Sequence, residues 1–238
     1  MTPIFIISVS AIIPALNEAQ NIRDAVASTL KAFNDLNIDG EVVVVNDGST
    51  DETGMIADKL ASGNPAVKVL HHEHPMGVGR SYRDGVNAAT KSAVVYMPGD
   101  NENDPYEVLQ HARQLEQVDM VVPNVSNKDV RSRLRRLYSW LYLQIINATF
   151  RTHFNYTNGN VIYSMAAVKK AASSCDSFFF QTDALVRATR AGCKFIQVSI
   201  RIRGRPSGSS KALTLRSLRT LLCDYLRLVR DVYWKRSL

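Results

Sequence analysis

The stretch AVVYMPGDNENDPYEV, from Ala93 to Val108, holds the features on which the fold turns. Ala93 to Met97 is an apolar run of the length of a buried strand. Pro98-Gly99 stops it, and Asp100, Asn101, Glu102 and Asn103 follow at once. Asp104-Pro105 then opens a helical pattern. A buried strand running into clustered oxygen ligands is where an α/β protein holds a hard cation, and sheets of that class bind ligands outside the carboxyl ends of their strands. Turn chemistry selects the same residues, so this stretch alone leaves a polar turn and a cation site both open.

The flanking sequence repeats the theme. Toward the N-terminus, Phe5 to Pro14 reads as a buried strand, and Asn17 is placed to cap a helix beginning at Glu18, with Ile22, Ala25, Val26, Thr29, Leu30 and Phe33 at helical spacing. Val42 to Val45 is a second strand, broken by Asn46-Asp47-Gly48-Ser49-Thr50-Asp51, with a helix over 52–60. Val67 to Leu70 is a third. His71, His72 and His74 read as loop residues, and Val78, Tyr82, Val86 and Ala89 mark the next helix. Beyond the opening stretch come a helix over 106–115 and a strand at 119–122. Strands alternating with helices in this way predict an α/β fold, a mostly parallel sheet with helices on both faces.

Charge divides the chain. The net +7 combines nine Lys/Arg against eighteen Asp/Glu in residues 1–130 with twenty against four in residues 131–238. An asymmetry of that size points to an anionic partner for the second half: nucleic acid, membrane surface or phosphorylated substrate. The basic loop lacks interleaved aromatic residues and the acidic first half would repel nucleic acid, so that partner is set aside. Cys175, Cys193 and Cys223 show no pairing or metal-ligand rhythm, which fits a reducing compartment. The apolar N-terminal residues 4–7 lack a basic flank and read as strand, and no apolar run approaches the ~20 residues of a membrane span.

Helical patterns dominate the second half. Residues 131–150 place Leu134, Leu137, Tyr138, Leu141 and Ile145 on one stripe, with Arg131, Arg133, Arg135 and Arg136 in the first turns, where positive charge opposes the helix dipole. A helix follows over 182–191 and a strand over 195–202. A Gly/Ser/Arg-rich run leads to a last helix, where Leu215, Leu218, Leu222, Tyr225, Leu226, Val229 and Tyr233 alternate with arginines. That pattern fits an interfacial helix, a helix packed on its own domain, or a dimer contact.

The order Ile13-Pro14-Ala15-Leu16-Asn17-Glu18, Val45-Asn46-Asp47-Gly48-Ser49-Thr50-Asp51, Gly77-Val78-Gly79 and Pro98-Gly99-Asp100 resembles the family 2 glycosyltransferases of GT-A fold, the Rossmann-like nucleotide-diphospho-sugar transferases. Arg205-Pro206-Ser207-Gly208-Ser209-Ser210-Lys211 is similar to the corresponding run of the dolichol- and polyprenyl-phosphate sugar synthases, typified by dolichol-phosphate mannose synthase. The resemblance implies a catalytic domain over 1–211, with a nucleotide-sugar-binding half at 1–125 and an acceptor half at 126–211. It is followed, on the same reading, by a basic amphipathic helix expected over 212–238.

The resemblance also implies roles. Pro14, Asn17, Glu18, Asp47, Gly48, Gly77, Gly79 and Asp100 would bind the nucleotide sugar, with Asp47 accepting from the base edge. Asp100 and Glu102 would hold Mg2+ or Mn2+, with Asp104 a further candidate. Arg131, Arg203, Arg205, Ser210 and Lys211 would take the acceptor phosphate. Asp100 and Asp183 are the implied catalytic residues. The implied activity is sugar transfer to a polyprenyl phosphate, with inversion, by a protein peripheral at the cytoplasmic face of a membrane; oligomeric state is left open. Two departures stand out: Asn46 replaces the first Asp of the family's Asp-Asp-Gly-Ser, and Pro98 replaces the first Asp of its D-x-D. Two alternatives stay open: transfer to a glycan or small-molecule hydroxyl with Asp183 as base, and a nucleotide-binding relative without catalysis.

Overall fold

Seven strands form one sheet in the order β3-β2-β1-β4-β6-β5-β7. The computed structural model describes residues 7–101, 103–127, 133–201 and 215–234. β1 (Ser8–Ala15) lies between β2 (Asp39–Asn46) and β4 (Ala93–Tyr96), parallel to both, with Ile12 opposite Val43 on one side and Tyr96 on the other. β3 (Val67–His71) extends the sheet beyond β2, and β5 (Met120–Val125) pairs parallel with β7 (Phe195–Ile200) at the other edge. One strand runs the other way: β6 (Ile162–Ser164) is antiparallel to both β4 and β5. The parallel expectation holds for the remaining six.

The strands are apolar on both faces because both are covered. Ala11, Ile13, Val42, Val44 and Val95 pack on the layer containing α1 (Ile22–Asp35) and the short α4 (Pro105–Leu109). Ile12, Val43, Val45, Val94 and Met120 face the other core. That core includes Tyr82 of α3 (Val78–Ala88), Ile146 and Phe150 of α5 (Arg133–Phe150), Ala167 of α6 (Met165–Lys170), Leu185 of α7 (Phe180–Arg190) and Leu228 of α8 (Leu215–Tyr233). α2 (Thr53–Gly63) packs beside β3.

Two local expectations change. Asn17 does not cap α1, which starts at Ile22 after Asn21; Asn17 takes a left-handed conformation, φ 57°, that frees its side chain for another loop. The helix expected over 106–115 breaks into α4 and a 3-10 turn, Ala112–Glu116, because the N–H groups of His111 and Gln114 bond three residues back, to Val108 and His111.

Candidate active site

β1 is the switch point of the sheet. Its connection leads to β2 and β3 on one side, and the chain then crosses to β4 on the other. Loops leaving the carboxyl ends of β1 and β4 therefore diverge and leave a crevice between them, the usual ligand position in such sheets. Asn17-Glu18 and Asp100 are on those two loops.

The β1 and β2 loops are tied to each other. Asn17 Oδ1 accepts from the Thr50 N–H at 2.9 Å, and the Asn17 N–H donates to Ser49 Oγ at 3.0 Å. The Glu18 N–H donates to Thr53 Oγ1 at 2.8 Å and the Ala19 N–H to Asp51 at 3.2 Å. Pro14 is buried, with its carbonyl 3.0 Å from where a side chain at Gly99 would begin. Gly48 occupies the turn after β2 with φ 68°.

Asp47 reaches the expected strand end but turns inward. Its side chain is 5% exposed and accepts from His72 Nδ1 at 2.7 Å and from the N–H groups of Met76 and Gly77, both at 2.9 Å. Burial alone would raise its pKa; these donors outweigh burial and hold it below the usual carboxylate range. Asp47 thus fixes the loop between β3 and α3. His72, expected as a loop residue, is the clamp: its other ring nitrogen lies 3.2 Å from Asp84, which Arg80 holds at 2.7 Å.

The two glycines expected against the nucleotide sugar pack against protein. A side chain at Gly77 (φ 98°) would begin 2.5 Å from the Asp176 carbonyl oxygen, and one at Gly79 only 2.1 Å from that of Cys175. The Gly79 N–H donates to the Asp176 carbonyl at 3.0 Å. Arg83 secures the same segment, donating to the Ser173 and Cys175 carbonyls at 3.1 and 3.2 Å and to the Asp176 carboxylate at 2.6 Å. Backbone approach this close excludes any side chain at Gly79.

Across the crevice, Tyr96 ends β4. It meets Tyr82 and Phe180 in edge contacts, with ring centroids 6.1 and 5.5 Å away. Burial raises the Tyr96 pKa, and the negative charges of Asp100 and Glu18 raise it further. Asn101 (φ 55°) holds the β4 loop to α1, accepting from Ser28 Oγ at 3.1 Å. Asp104 caps α4 through the Tyr106 N–H at 3.0 Å, with Pro105 at the first helical position. Of the candidate cation ligands, Asp104 is thus a helix cap, Asp100 stands at the crevice, and Glu102 lies outside the described residues. Among the described residues no three His, Cys, Asp or Glu side chains gather as a metal cage. An oxygen-only set of one or two carboxylates fits a hard divalent ion that takes its other ligands from phosphate and water.

Beneath Tyr96, the residues Tyr82, Tyr163, Phe180 and Gln181 line a cavity of about 10 Å3. The hydroxyls of Tyr82 and Tyr163 are buried and have no hydrogen-bond partner among the described residues, and the space suits one water molecule. Asp183, one turn along α7, is buried. It accepts from Arg187 Nε at 3.0 Å, and the same guanidinium reaches Asp231 of α8 at 2.9 Å. Its carboxylate is therefore engaged in holding α7 and α8 together. Arg131, Arg203, Arg205, Ser210 and Lys211 lie outside the described residues. Arg201, the last described residue before Arg203, follows β7 at the sheet's carboxyl end and donates its N–H to Glu107 at 3.1 Å.

A protein-family model described as "Glycosyl transferase family 2" matches residues 10–175. The chain is 28% identical to "Glycosyltransferase AglD" of Haloferax volcanii over 93% of its length, while spanning only 37% of that longer protein. It is 30% identical to "Polyprenol monophosphomannose synthase" of Mycolicibacterium smegmatis, with 84% of this chain and 79% of that one covered. Among solved structures, glucosyl-3-phosphoglycerate synthase from Mycobacterium tuberculosis in complex with Mg2+ and uridine diphosphate superposes with a TM-score of 0.68 at 19% identity, covering 93% of this chain and 79% of that one. At that identity the likeness concerns the fold, which is the GT-A arrangement expected from the strand-end loops.

Proposed function

Because this chain belongs to glycosyl transferase family 2, we propose that it moves a sugar from a nucleoside diphosphate sugar to a polyprenyl phosphate. The observation that carries the reading is that the loops bearing Asn17-Glu18 and Asp100 leave the carboxyl ends of the adjacent strands β1 and β4 at the switch point of the sheet. The nucleoside lies along the β1 and β2 loops, and the diphosphate points toward Asp100. Asp47 acts indirectly, by fixing Met76 and Gly77. Asp100, with Glu102, would hold a divalent cation shared with the diphosphate; when bound, that ion neutralises charge on the departing nucleoside diphosphate.

An acceptor phosphate oxygen is already anionic, so attack on the anomeric carbon requires no strong base. The oxygen forms the new C–O bond as the bond to the nucleoside diphosphate breaks, which inverts the anomeric centre. Arg203, Arg205 and Lys211, with Ser210, hold the acceptor phosphate, and Arg131 adds positive charge beside it. Transfer to a sugar hydroxyl would instead need a free carboxylate base. The pairing of Asp183 with Arg187 argues for the phosphate acceptor.

The test is a panel of radiolabelled nucleotide sugars with polyprenyl phosphate and Mg2+ or Mn2+, run on wild type, Asp100→Ala and Lys211→Ala. We expect label in the lipid phase for wild type and a loss of at least 100-fold in both variants. Unchanged lipid labelling in either variant would refute that residue's role. Labelling of a soluble glycan, lost in Asp183→Asn, would refute the lipid acceptor.

A further inference from the structure

β2 and β3 end on two consecutive pairs of an amide or carboxylate with an imidazole. Asn46 and His71 are register partners at the ends of the two parallel strands, and Asp47 and His72 follow them. Asp47 and His72 reach the 76–77 backbone and Asp84 of α3. Asn46 and His71 face α2 instead. A side chain at Gly54, in the first turn of that helix, would begin 2.8 Å from Asn46 Nδ2 and 3.5 Å from His71 Cε1. His71, expected in a loop, is thus the last residue of β3 and belongs to a side-chain network.

Donor and acceptor chemistry fixes each link of that network. The Ser49 N–H can only donate, and it lies 3.2 Å from Asn46 Oδ1. The amide oxygen of Asn46 therefore faces Ser49 and its NH2 group faces His71, with Nδ2 3.0 Å from Nδ1. A donor at that place requires His71 Nδ1 to accept, which leaves the ring proton on Nε2. Nε2 lies 3.0 Å from the Asp58 carboxylate, which accepts it. The bonds from Ser49 to Asn46, His71 and Asp58 thus run in one direction, and both ends of the chain demand the same tautomer. Asn46 is buried, whereas the side chains of His71 and Asp58 are 43% and 61% exposed, so the inner link weighs most.

Ser49 is where the network meets the β1 loop. Its Oγ accepts from the Asn17 N–H at 3.0 Å, and Asn17 Oδ1 accepts from the Thr50 N–H at 2.9 Å. A carboxylate at position 46 would still accept from Ser49 but would offer His71 Nδ1 no donor. Asn46 in place of the first Asp of Asp-Asp-Gly-Ser therefore matches the tautomer of His71. We infer that His71 is a positioning residue of the donor site: with its proton on Nε2 it orients Asn46, and Asn46 through Ser49 sets the loops bearing Asn17 and Thr50. The inference rests on the proposed function, which lays the nucleoside along those loops. It deepens that reading by naming a residue that governs nucleotide affinity through others rather than by contact.

Two measurements on the full chain test it. The first is 15N NMR of the histidine ring nitrogens at pH 8, with His71 assigned through its loss in His71→Gln. Expected are a protonated Nε2 and a bare Nδ1 in wild type, and a proton on Nδ1 in Asn46→Asp. The second is calorimetric titration with ADP, CDP, GDP, UDP and dTDP in the presence of Mg2+. For the nucleotide that wild type binds best, His71→Phe, which keeps the ring but not its nitrogens, is expected to weaken binding by about 5-fold or more. His71→Gln, whose amide oxygen accepts from Asn46 and whose NH2 donates to Asp58, is expected to recover most of that loss. Urea unfolding checks that each variant is folded. Should His71→Phe not fold, Gly54→Ala, which displaces the Asn46 amide from the α2 side, is measured in its place with the same expectation.

The inference is overturned if wild type carries the proton on Nδ1, or if removing the ring nitrogens leaves nucleotide affinity unchanged. A loss in His71→Gln as large as in His71→Phe overturns it too, because packing rather than hydrogen bonding would then be what His71 supplies. Wild type that binds none of the five nucleotides overturns the proposed function itself. Wild-type binding that is indifferent to His71→Phe overturns the positioning role alone and leaves the donor site standing.

Discussion

Replacing Glu41 with Gln should weaken the fold without touching the site, and the loss should vanish in acid. Glu41 is 4% exposed near the amino end of β2. Its carboxylate accepts from Ser10 Oγ and from the Thr90 N–H, both at 2.6 Å, from Thr90 Oγ1 at 2.9 Å and from Lys68 Nζ at 2.8 Å. One group thus joins β1, β2, β3 and the connection entering β4, at the sheet edge opposite the crevice. Burial pushes its pKa up, but Lys68, Ser10 and Thr90 outweigh burial and carry it down from 4.5 to about 2. A depression of that size corresponds to roughly 3 kcal/mol. Lys68 is 41% exposed and keeps the pair partly solvated, so about 2 kcal/mol is the expected share. Because the folded pKa lies below the unfolded one, this stability is fully present above about pH 4.5 and is lost as pH falls toward 2. Urea unfolding should therefore show Glu41→Gln about 2 kcal/mol less stable at pH 7, with the gap at least halved at pH 3 and nucleotide binding at pH 7 unchanged. An equal gap at both pH values, or an altered nucleotide affinity, would refute the assignment.

Asp47→Asn removes the charge that holds His72, Met76 and Gly77, and should raise the donor KM by about 10-fold or more while the acceptor KM stays put, read by steady-state kinetics. Gly79→Ala places a methyl 2.1 Å from the Cys175 carbonyl and should cost about 1–3 kcal/mol in urea unfolding. Arg187→Met strands Asp183 in the core, leaves Asp231 without its Arg187 contact and should cost about 3–5 kcal/mol, whereas converting both aspartates to Asn as well should recover part of that loss. Chelation with EDTA should abolish transfer, with recovery on adding Mg2+ or Mn2+ but not Ca2+ at equal concentration; transfer that persists in EDTA would remove the cation from the Asp100 site.

The strands were legible because their signals are local. Val42 to Val45 and Ala93 to Met97 are β-branched or apolar runs stopped by Asn, Gly or Pro, and the loops at those stops line the crevice. A loop and short strand are readable over 155–164, but three residues of pairing in β6 are too few to carry an alternation, so its reversed direction could not be read from the sequence. Side-chain direction was also hidden. Asp47 stands at the expected strand end, yet whether its carboxylate faces a ligand or its own loop depends on His72, twenty-five residues later. The resemblance assigns Gly77 and Gly79 to the nucleotide sugar, and a close backbone approach needs glycine either way; that the approaching backbone is Cys175-Asp176, nearly a hundred residues on, could be seen only in three dimensions. The packing of α8 was half visible: the sequence shows the leucine stripe and the arginines, while the inward aspartates declare themselves only through Ser177 and Arg187.

β6 also bears on how such a protein can diversify. Residues 162–164 come from the half that follows the acidic strands, yet they lie between β4 and β5 and hydrogen-bond to both. A chimera that exchanged residues 126–211 with a relative would import the middle plank of the recipient's sheet, along with the Cys175-Asp176 backbone that fills the space over Gly77 and Gly79. Substitution is therefore expected to be tolerated more readily than exchange of whole modules. Replacement of the residues that follow Arg201 should be tolerated where a grafted half is not.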